Sequence, residues 1–221
     1  MSSEARVGGI AALIQALCYV VGFALLLTAM NPGDTTGWTS LQKLEFVLER
    51  AALFQLWNLI IYVVFGVALG VLAVVLHRRF GDPDRLLMAV ATPFAMIWAG
   101  LVIASGMLAS VGLSAVAERI AAAPDQAAAL WATLGVVQNG LGGGVELVGG
   151  LWVLLLSAAS RRSARGLPKW VDAVGFIVGL AGIATVVPML SDLGAVFGLA
   201  QIVWFAAIAI VLFRTPPSDA V

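Results

Sequence analysis

Six predominantly apolar runs, each long enough to cross a lipid bilayer as a helix, constrain the fold of this chain most strongly. A hydrocarbon core about 30 Å thick needs roughly 20 apolar helical residues. Residues are 62% apolar and 11% charged, against about 45–50% and about 25% in soluble domains. The sequence therefore predicts an all-α integral membrane bundle, a single domain over residues 1–221, with six transmembrane helices at about 7–30, 53–76, 86–110, 133–157, 171–190 and 195–213.

The basic residues predict the orientation, because Lys and Arg are retained on the cytoplasmic side during insertion. With the N-terminus inside, the cytoplasmic face carries Arg6, Arg78, Arg79, Arg85, Arg161, Arg162, Arg165, Lys169 and Arg214, and the outer face carries only Lys43, Arg50 and Arg119. An even number of spans places both termini inside, in a multi-pass protein of the cell membrane. Anionic lipid headgroups are expected partners of Arg161, Arg162, Arg165 and Lys169, although topology explains these residues equally well.

Composition excludes several other classes of function. The formal net charge is zero, so nucleic-acid binding is not expected. One His and one Cys are too few for a His/Cys zinc site, a bis-His haem or a Cys-His dyad within one chain. No cofactor, metal site or enzyme activity is predicted, although a lipid-modifying enzyme that uses Asp or Glu stays open.

Two features are expected on the outer side. Residues 40–50 have the pattern of an amphipathic helix, predicted to lie in the outer headgroup layer as a cover over the bundle or, as the alternative, a moving lid. Spans three and four keep a helical pattern over 86–120 and 126–157, roughly 50 Å each. They are predicted to project from the membrane as a long hairpin with Pro124 and Asp125 in the turn, and Pro93 is expected to kink span three.

Glu146 is the residue on which the functional interpretation depends. It is predicted about 20 Å below the start of span four, and no Lys, Arg or His lies within the predicted spans. A charged carboxylate at a helix centre costs on the order of 3 kcal/mol. Glu146 is therefore expected to be either protonated or charged around a bound cation or cationic solute.

Other polar residues are predicted to accompany Glu146. On a continuous helix, Asn139 and Glu146 share one polar or small-residue stripe. Asn58 and Gln201 lie in the outer portions of spans two and six, with Tyr62 one turn deeper than Asn58. This distribution predicts a vestibule between spans two, four and six that narrows to Glu146. The alternative is a network of interhelical hydrogen bonds, each worth about 0.6 kcal/mol. Tyr19 is expected on the cytoplasmic side, with Cys18 as core filling.

The layout also resembles a known family. Arg6 precedes span one, a long outer segment follows it, a GlyGly-Leu-Trp-Val-Leu-Leu-Leu-Ser run over 149–157 ends span four, and Leu-Pro-Lys-Trp at 167–170 leads into a Gly-containing helix. This is similar to the bacterial six-span membrane proteins of domain of unknown function 4386. The resemblance implies a bacterial inner-membrane protein and transfers no activity.

Two functions remain open on these grounds. The first is a small proton-linked transporter or channel, with Glu146 as protonation and substrate site and Asn58, Tyr62, Asn139 and Gln201 lining the approach. The second is a non-transporting accessory subunit or sensor, in which small residues at four-residue spacing form faces for a second copy or another membrane protein.

Overall fold

The computed structural model describes residues 2–81, 85–143, 146–164 and 166–215. Helices account for nearly all of these residues, so the predicted all-α class is confirmed. In chain order the elements are α1 (Ser3–Leu27), α2 (Ser40–Glu49), α3 (Ala51–Asn58), a π-helical segment (Leu59–Val64), α4 (Phe65–Phe80), α5 (Arg85–Arg119), α6 (Pro124–Gln138), a second π-helical segment (Asn139–Gly143), α7 (Leu147–Arg162), α8 (Lys169–Ala184), a 3-10 turn (Pro188–Leu190) and α9 (Leu193–Phe213).

Within these described residues, four helices are long and apolar enough to cross a membrane: Ser3–Leu27, Ala51–Phe80, Arg85–Arg119 and Leu193–Phe213. They correspond to predicted spans one, two, three and six. Many large apolar side chains on the helices remain exposed, among them Leu17 at 52%, Val67 at 58% and Ile177 at 55%. Extensive exposed apolar surface marks a contact with lipid or another apolar partner, which is compatible with a multi-pass integral membrane protein.

Predicted span four is not one continuous helix. The second π-helical segment ends at Gly143, α7 begins at Leu147, and Glu146 is a non-helical cap with φ −96° and ψ 22°. Gly144 and Val145 lie outside the described residues. A helical Gly costs about 1 kcal/mol relative to Ala, so the glycine-rich sequence before Glu146 weakens the helix where it ends. The expectation of unbroken helix over 126–157, and with it the single polar stripe, is wrong.

Predicted span five also ends earlier than expected. Helix α8 stops at Ala184, and a separate 3-10 turn occupies Pro188–Leu190. Proline disfavours helical backbone in the residue before it, and Val187, which precedes Pro188, is extended with ψ 116°. Both α7 and α8 contain 16 residues, which is fewer than the roughly 20 that an upright crossing requires.

Contacts near the chain termini bring several helix ends together. Arg78 at the end of α4 forms an ion pair with Glu4 at the start of α1. The neighbouring Arg79 donates from Nη1 to Thr215 Oγ1 at 3.1 Å, just after α9. The start of α1 and the ends of α4 and α9 therefore lie at one end of the bundle.

At the opposite end, α5 and α6 form a helical hairpin covered by α2. Helix α5 continues through Pro93 for 35 residues, or about 52 Å. The turn comprises residues 120–123, and Pro124 is the first residue of α6, so the predicted position of Pro124 and Asp125 in the turn is wrong. Pro fits the first helical position because its missing N–H has no intrahelical acceptor there.

The predicted amphipathic helix is confirmed, but its apolar face meets protein. A capping box formed by Thr39 and Gln42 begins α2, since each side chain satisfies a backbone N–H of the other. Leu44 is fully buried in a cluster that includes Leu113 of α5 and Ala127 of α6. Helix α2 therefore packs as a cover on the hairpin.

Candidate functional site

A cavity of about 210 Å³ brings together two of the predicted site residues, Glu146 and Tyr62. Its walls come from α1, the first π-helical segment, α4, α5, the cap of α7 and α9. The lining residues are Cys18, Tyr19, Gly22, Phe23, Leu26, Ile61, Tyr62, Phe65, Trp98, Val102, Glu146, Gly194, Phe197 and Gly198. The cavity thus includes α1 and α5, which the predicted vestibule between spans two, four and six did not.

Glu146 reaches the cavity from a break between two helices that is held by Thr185. The Glu146 backbone N–H donates to Thr185 Oγ1 at 2.8 Å, and that hydroxyl donates to the Gly182 carbonyl at 2.7 Å. The Glu146 carbonyl accepts from the Gly150 N–H at 2.8 Å, which starts α7. These hydrogen bonds supply partners for backbone groups that a continuous helix would otherwise pair within itself.

Close packing continues from the break along α7 and α8. A Cβ added at Gly150 would lie 2.7 Å from both the Gly179 carbonyl oxygen and the Ile183 backbone nitrogen, and one added at Gly182 would lie 2.9 Å from the Glu146 carbonyl oxygen. Only glycine permits this backbone approach. The position of Glu146 is therefore fixed by Gly182 of α8 and by Thr185, which directly follows α8, and neither residue lines the cavity.

Tyr62 is placed by the first π-helical segment. Wider π turns inside α-helices occur frequently at functional sites, and this one carries both Ile61 and Tyr62 into the cavity wall. The side chain of Gln138, at the end of α6, is a close neighbour of the Tyr62 side chain. A Cβ added at Gly106 of α5 would lie 2.6 Å from Tyr62 Cβ, so Gly106 makes room for this residue.

Aromatic rings form a connected belt along the cavity. Tyr19 contacts Phe65 with ring centroids 5.3 Å apart, Phe65 contacts Trp98 at 5.4 Å, and Trp98 contacts Phe197 at 5.9 Å. These three pairs meet edge to face, the arrangement that the ring quadrupole favours. Phe23 extends the belt beyond Tyr19, at 6.3 Å.

Among the described lining residues, Glu146 is the one acidic side chain. Glu146 is half-buried, and none of the described lining residues is Lys, Arg or His. The other titratable side chains that line the cavity are Cys18, Tyr19 and Tyr62. The site is therefore a small aromatic chamber with a single carboxyl group and no basic side chain among its described walls.

The three predicted amide residues do not line this cavity. Asn58 is buried, and its Nδ2 donates to the Phe54 carbonyl at 2.9 Å within its own helix. Gln201 is buried, and neither of its side-chain polar atoms has a hydrogen-bond partner within the described chain. Asn139 is exposed. The structure thus brings Glu146 and Tyr62 together and leaves Asn58, Gln201 and Asn139 outside the group.

Two further residues were not predicted in their observed places. Tyr19, which was expected on the cytoplasmic side, lies with Cys18 in a wall of the same cavity as Glu146. The helical pattern of α1 alone does not indicate that Tyr19 lies near a residue more than 100 positions later in the sequence. Asp172 is a second buried acid, only 1% exposed, with Ser160 and Arg161 as neighbours. The sequence signal that could have identified Asp172 is its position as an acidic residue within predicted span five. It lies in the first turn of α8.

The basic loop after α7 is surface-exposed where it is described. Arg161, Arg162 and Lys169 are exposed, and Arg165 lies outside the described residues. Within the described ranges, no group of three or more His, Cys, Asp or Glu side chains is arranged to hold a metal ion.

No protein-family model, curated protein or solved structure matches this chain. The resemblance to the bacterial six-span proteins stays a prediction. The class that the structure defines is an all-helical protein with several membrane-length apolar helices and one aromatic, acidic cavity among the described residues.

Proposed function

We propose that this protein is a six-span membrane protein with both termini in the cytoplasm, and that it acts as a small proton-linked transporter or channel. Glu146 is the proposed protonation and substrate site, with Tyr62 beside it. A bacterial inner membrane is the proposed location, in line with the family resemblance.

One observation carries this proposal: Glu146 lies at a helix break in a cavity whose described walls contain no basic side chain. Burying a charge without a partner is costly, so the carboxyl group alternates between a bound proton and a bound cationic species. Discontinuous helices with a binding site at the break are a recurrent feature of secondary transporters. The broken α6–α7 region therefore supports transport more strongly than a continuous helix would.

Flux through reconstituted protein tests this proposal. Purified chain would be placed in liposomes containing a pH-sensitive dye, with an imposed pH gradient and a panel of small amino acids, sugars and ammonium ions outside. We expect solute-stimulated proton flux that falls to the protein-free rate in Glu146→Gln. Glu118→Gln, which changes an exposed acid of α5, is the matched control and should retain wild-type flux. Flux that is unchanged in Glu146→Gln would contradict the proposed role.

The second candidate function is an accessory subunit or sensor that does not transport. A Cβ added at Gly70, Gly100, Gly135 or Gly140 would meet nothing within 4 Å, so small-residue surfaces are left uncovered by the described chain. Such surfaces suit close approach by another membrane helix. This function predicts stoichiometric co-purification with a second copy or another membrane protein, and tolerance of Glu146→Gln in that complex.

A further inference from the structure

The chemistry of the cavity walls restricts the charge of its ligand. An anion would face the Glu146 carboxyl group without a basic side chain to offset it, since the described lining contains no Lys, Arg or His. A neutral apolar solute would leave the carboxyl group without a polar partner in either protonation state, which is costly. A cation satisfies the carboxylate and avoids both penalties.

The same walls favour an organic cation over a metal ion. Ca²⁺ takes 6–8 oxygen ligands and Mg²⁺ needs near-ideal octahedral oxygen geometry. Among the described lining residues, the side chains that carry an oxygen atom are those of Glu146, Tyr19 and Tyr62, and most of the rest are apolar or aromatic. An ammonium group carrying alkyl substituents needs few oxygen ligands and is attracted to the faces of Trp, Tyr and Phe.

The size of the cavity limits the size of the cation. Its volume of about 210 Å³ is below the range of roughly 300–1,000 Å³ typical of pockets for drug-sized ligands. The ring-to-ring contacts of Tyr19, Phe65 and Trp98 keep this part of the wall closely packed. A compact ammonium ion fits these dimensions, whereas a large lipophilic cation does not.

We propose that the cavity at Glu146 binds a small, singly charged organic ammonium ion, held by the carboxylate and by the aromatic side chains of Tyr62 and Trp98. This inference rests on the proposed function in taking Glu146 as the substrate site, and it adds the ligand class. The ammonium ion and a proton compete for one carboxyl group. Binding to the protonated form therefore releases that proton to solvent.

Calorimetric titration of the purified full chain with choline chloride tests the inference. The neutral isostere 3,3-dimethylbutan-1-ol, in which carbon replaces the charged nitrogen, is the matched ligand control. We expect saturable binding of choline, and binding of the alcohol at least about tenfold weaker. Equal binding of the two ligands would overturn the inference, as would saturable binding of sodium ions with none of choline.

Variants separate the roles of charge and aromatic ring. Glu146→Gln should abolish choline binding, whereas Glu118→Gln should leave it unchanged. Tyr62→Phe retains the ring and should stay within about threefold of wild type, whereas Tyr62→Leu should weaken binding about tenfold. Each variant would be checked for an unchanged thermal unfolding midpoint. Choline binding that is insensitive to both Glu146→Gln and Tyr62→Leu would place the ligand elsewhere and overturn the inference.

The pH dependence gives an independent readout. Among the described residues, Cys18, Tyr19 and Tyr62 are the other titratable residues that line the cavity. Raising the pH removes the proton that competes for Glu146, so choline binding should tighten with pH in wild type and in Tyr62→Phe. Choline binding that is independent of pH would contradict competition for this carboxyl group.

These outcomes distinguish failure of the inference from failure of the proposed function. Glu146-dependent proton flux driven by another solute, without choline binding, would retain the transporter and overturn the ammonium ligand. Glu146-dependent choline binding without any flux would retain the cation site and overturn transport.

Discussion

Gly150 is a residue at which the backbones of α7 and α8 approach very tightly. Replacing it with Ala would place a methyl group 2.7 Å from two backbone atoms of α8, and backbone cannot move aside as a flexible side chain can. We expect Gly150→Ala to destabilise the protein by about 1–3 kcal/mol. The measurement is the unfolding free energy of the detergent-solubilised chain.

Gly70→Ala is the control for this substitution, since nothing lies within 4 Å of a Cβ at that position. Ala is a better helix former than Gly by about 1 kcal/mol, so Gly70→Ala should be neutral or stabilising. Equal destabilisation by both variants would mean that α7 and α8 do not pack closely at Gly150.

At the residue scale, the sequence predicted the identity of the acid but not its surroundings. Glu146 stands out because an ionisable side chain is expensive within an apolar run, and Tyr62 was expected nearby. Tyr19 and Trp98 could not be assigned, because a helical pattern shows which face is apolar and not which distant helix meets it. Asn58 donates a hydrogen bond to a backbone carbonyl of its own helix. Its position in the sequence is equally compatible with this role and with lining a cavity.

At the scale of elements, the helix break at Glu146 depends on the Thr185 hydroxyl. Thr185→Val keeps the shape of the side chain but leaves the Glu146 N–H without its acceptor. An unpaired buried donor costs about 1–3 kcal/mol. We therefore expect Thr185→Val to lower the free energy of unfolding by this amount and to speed amide exchange at the start of α7. Thr185→Ser preserves the hydroxyl and should behave much more like wild type. Exchange that is identical in the Val and Ser variants would contradict this role.

The cover formed by α2 gives a second prediction at this scale. Leu44 is fully buried against the α5–α6 hairpin, so Leu44→Ala should cost about 2–5 kcal/mol in the stability of that contact. We expect amide exchange to rise across α2 while α1 and α9 remain protected. Leu56→Ala, the control, removes a side chain that is 50% exposed and should leave α2 protected. Faster amide exchange throughout the chain in Leu44→Ala would contradict the role of α2 as a local cover.

The periodicity of apolar residues predicted most of the helices. It missed the break before α7 and the early end of α8. The apolar pattern of residues 126–157 continues across the break, so only the glycine content near residue 143 and the polar Glu146 indicated an interruption. The early end of α8 is explained by Pro188 and the extended residue before it. The π-helical segment that carries Tyr62 has no comparable signal, because its residues are as apolar as those on either side.

For the whole molecule, the alignment of helix ends makes the proposed orientation testable. Arg78 pairs with Glu4, and Arg79 donates to Thr215, at one end of the bundle. The α5–α6 turn lies at the far end of the 35-residue α5. Basic residues favour the cytoplasmic side, so the first end should face the cytoplasm. Single cysteines introduced as Thr36→Cys, Ala122→Cys and Ala164→Cys, all at exposed positions, would be made in a Cys18→Ala background.

A membrane-impermeant maleimide should then label positions 36 and 122 in intact cells, and position 164 only after the membrane is opened. This pattern requires that α7 return the chain to the side where α5 began, although α7 has only 16 residues. The break at Glu146 therefore has to lie within the membrane, since the α6 segment before it supplies the rest of the crossing. Labelling of position 164 from outside would place the break at the surface and would remove the physical reason for an isolated carboxyl group in the cavity.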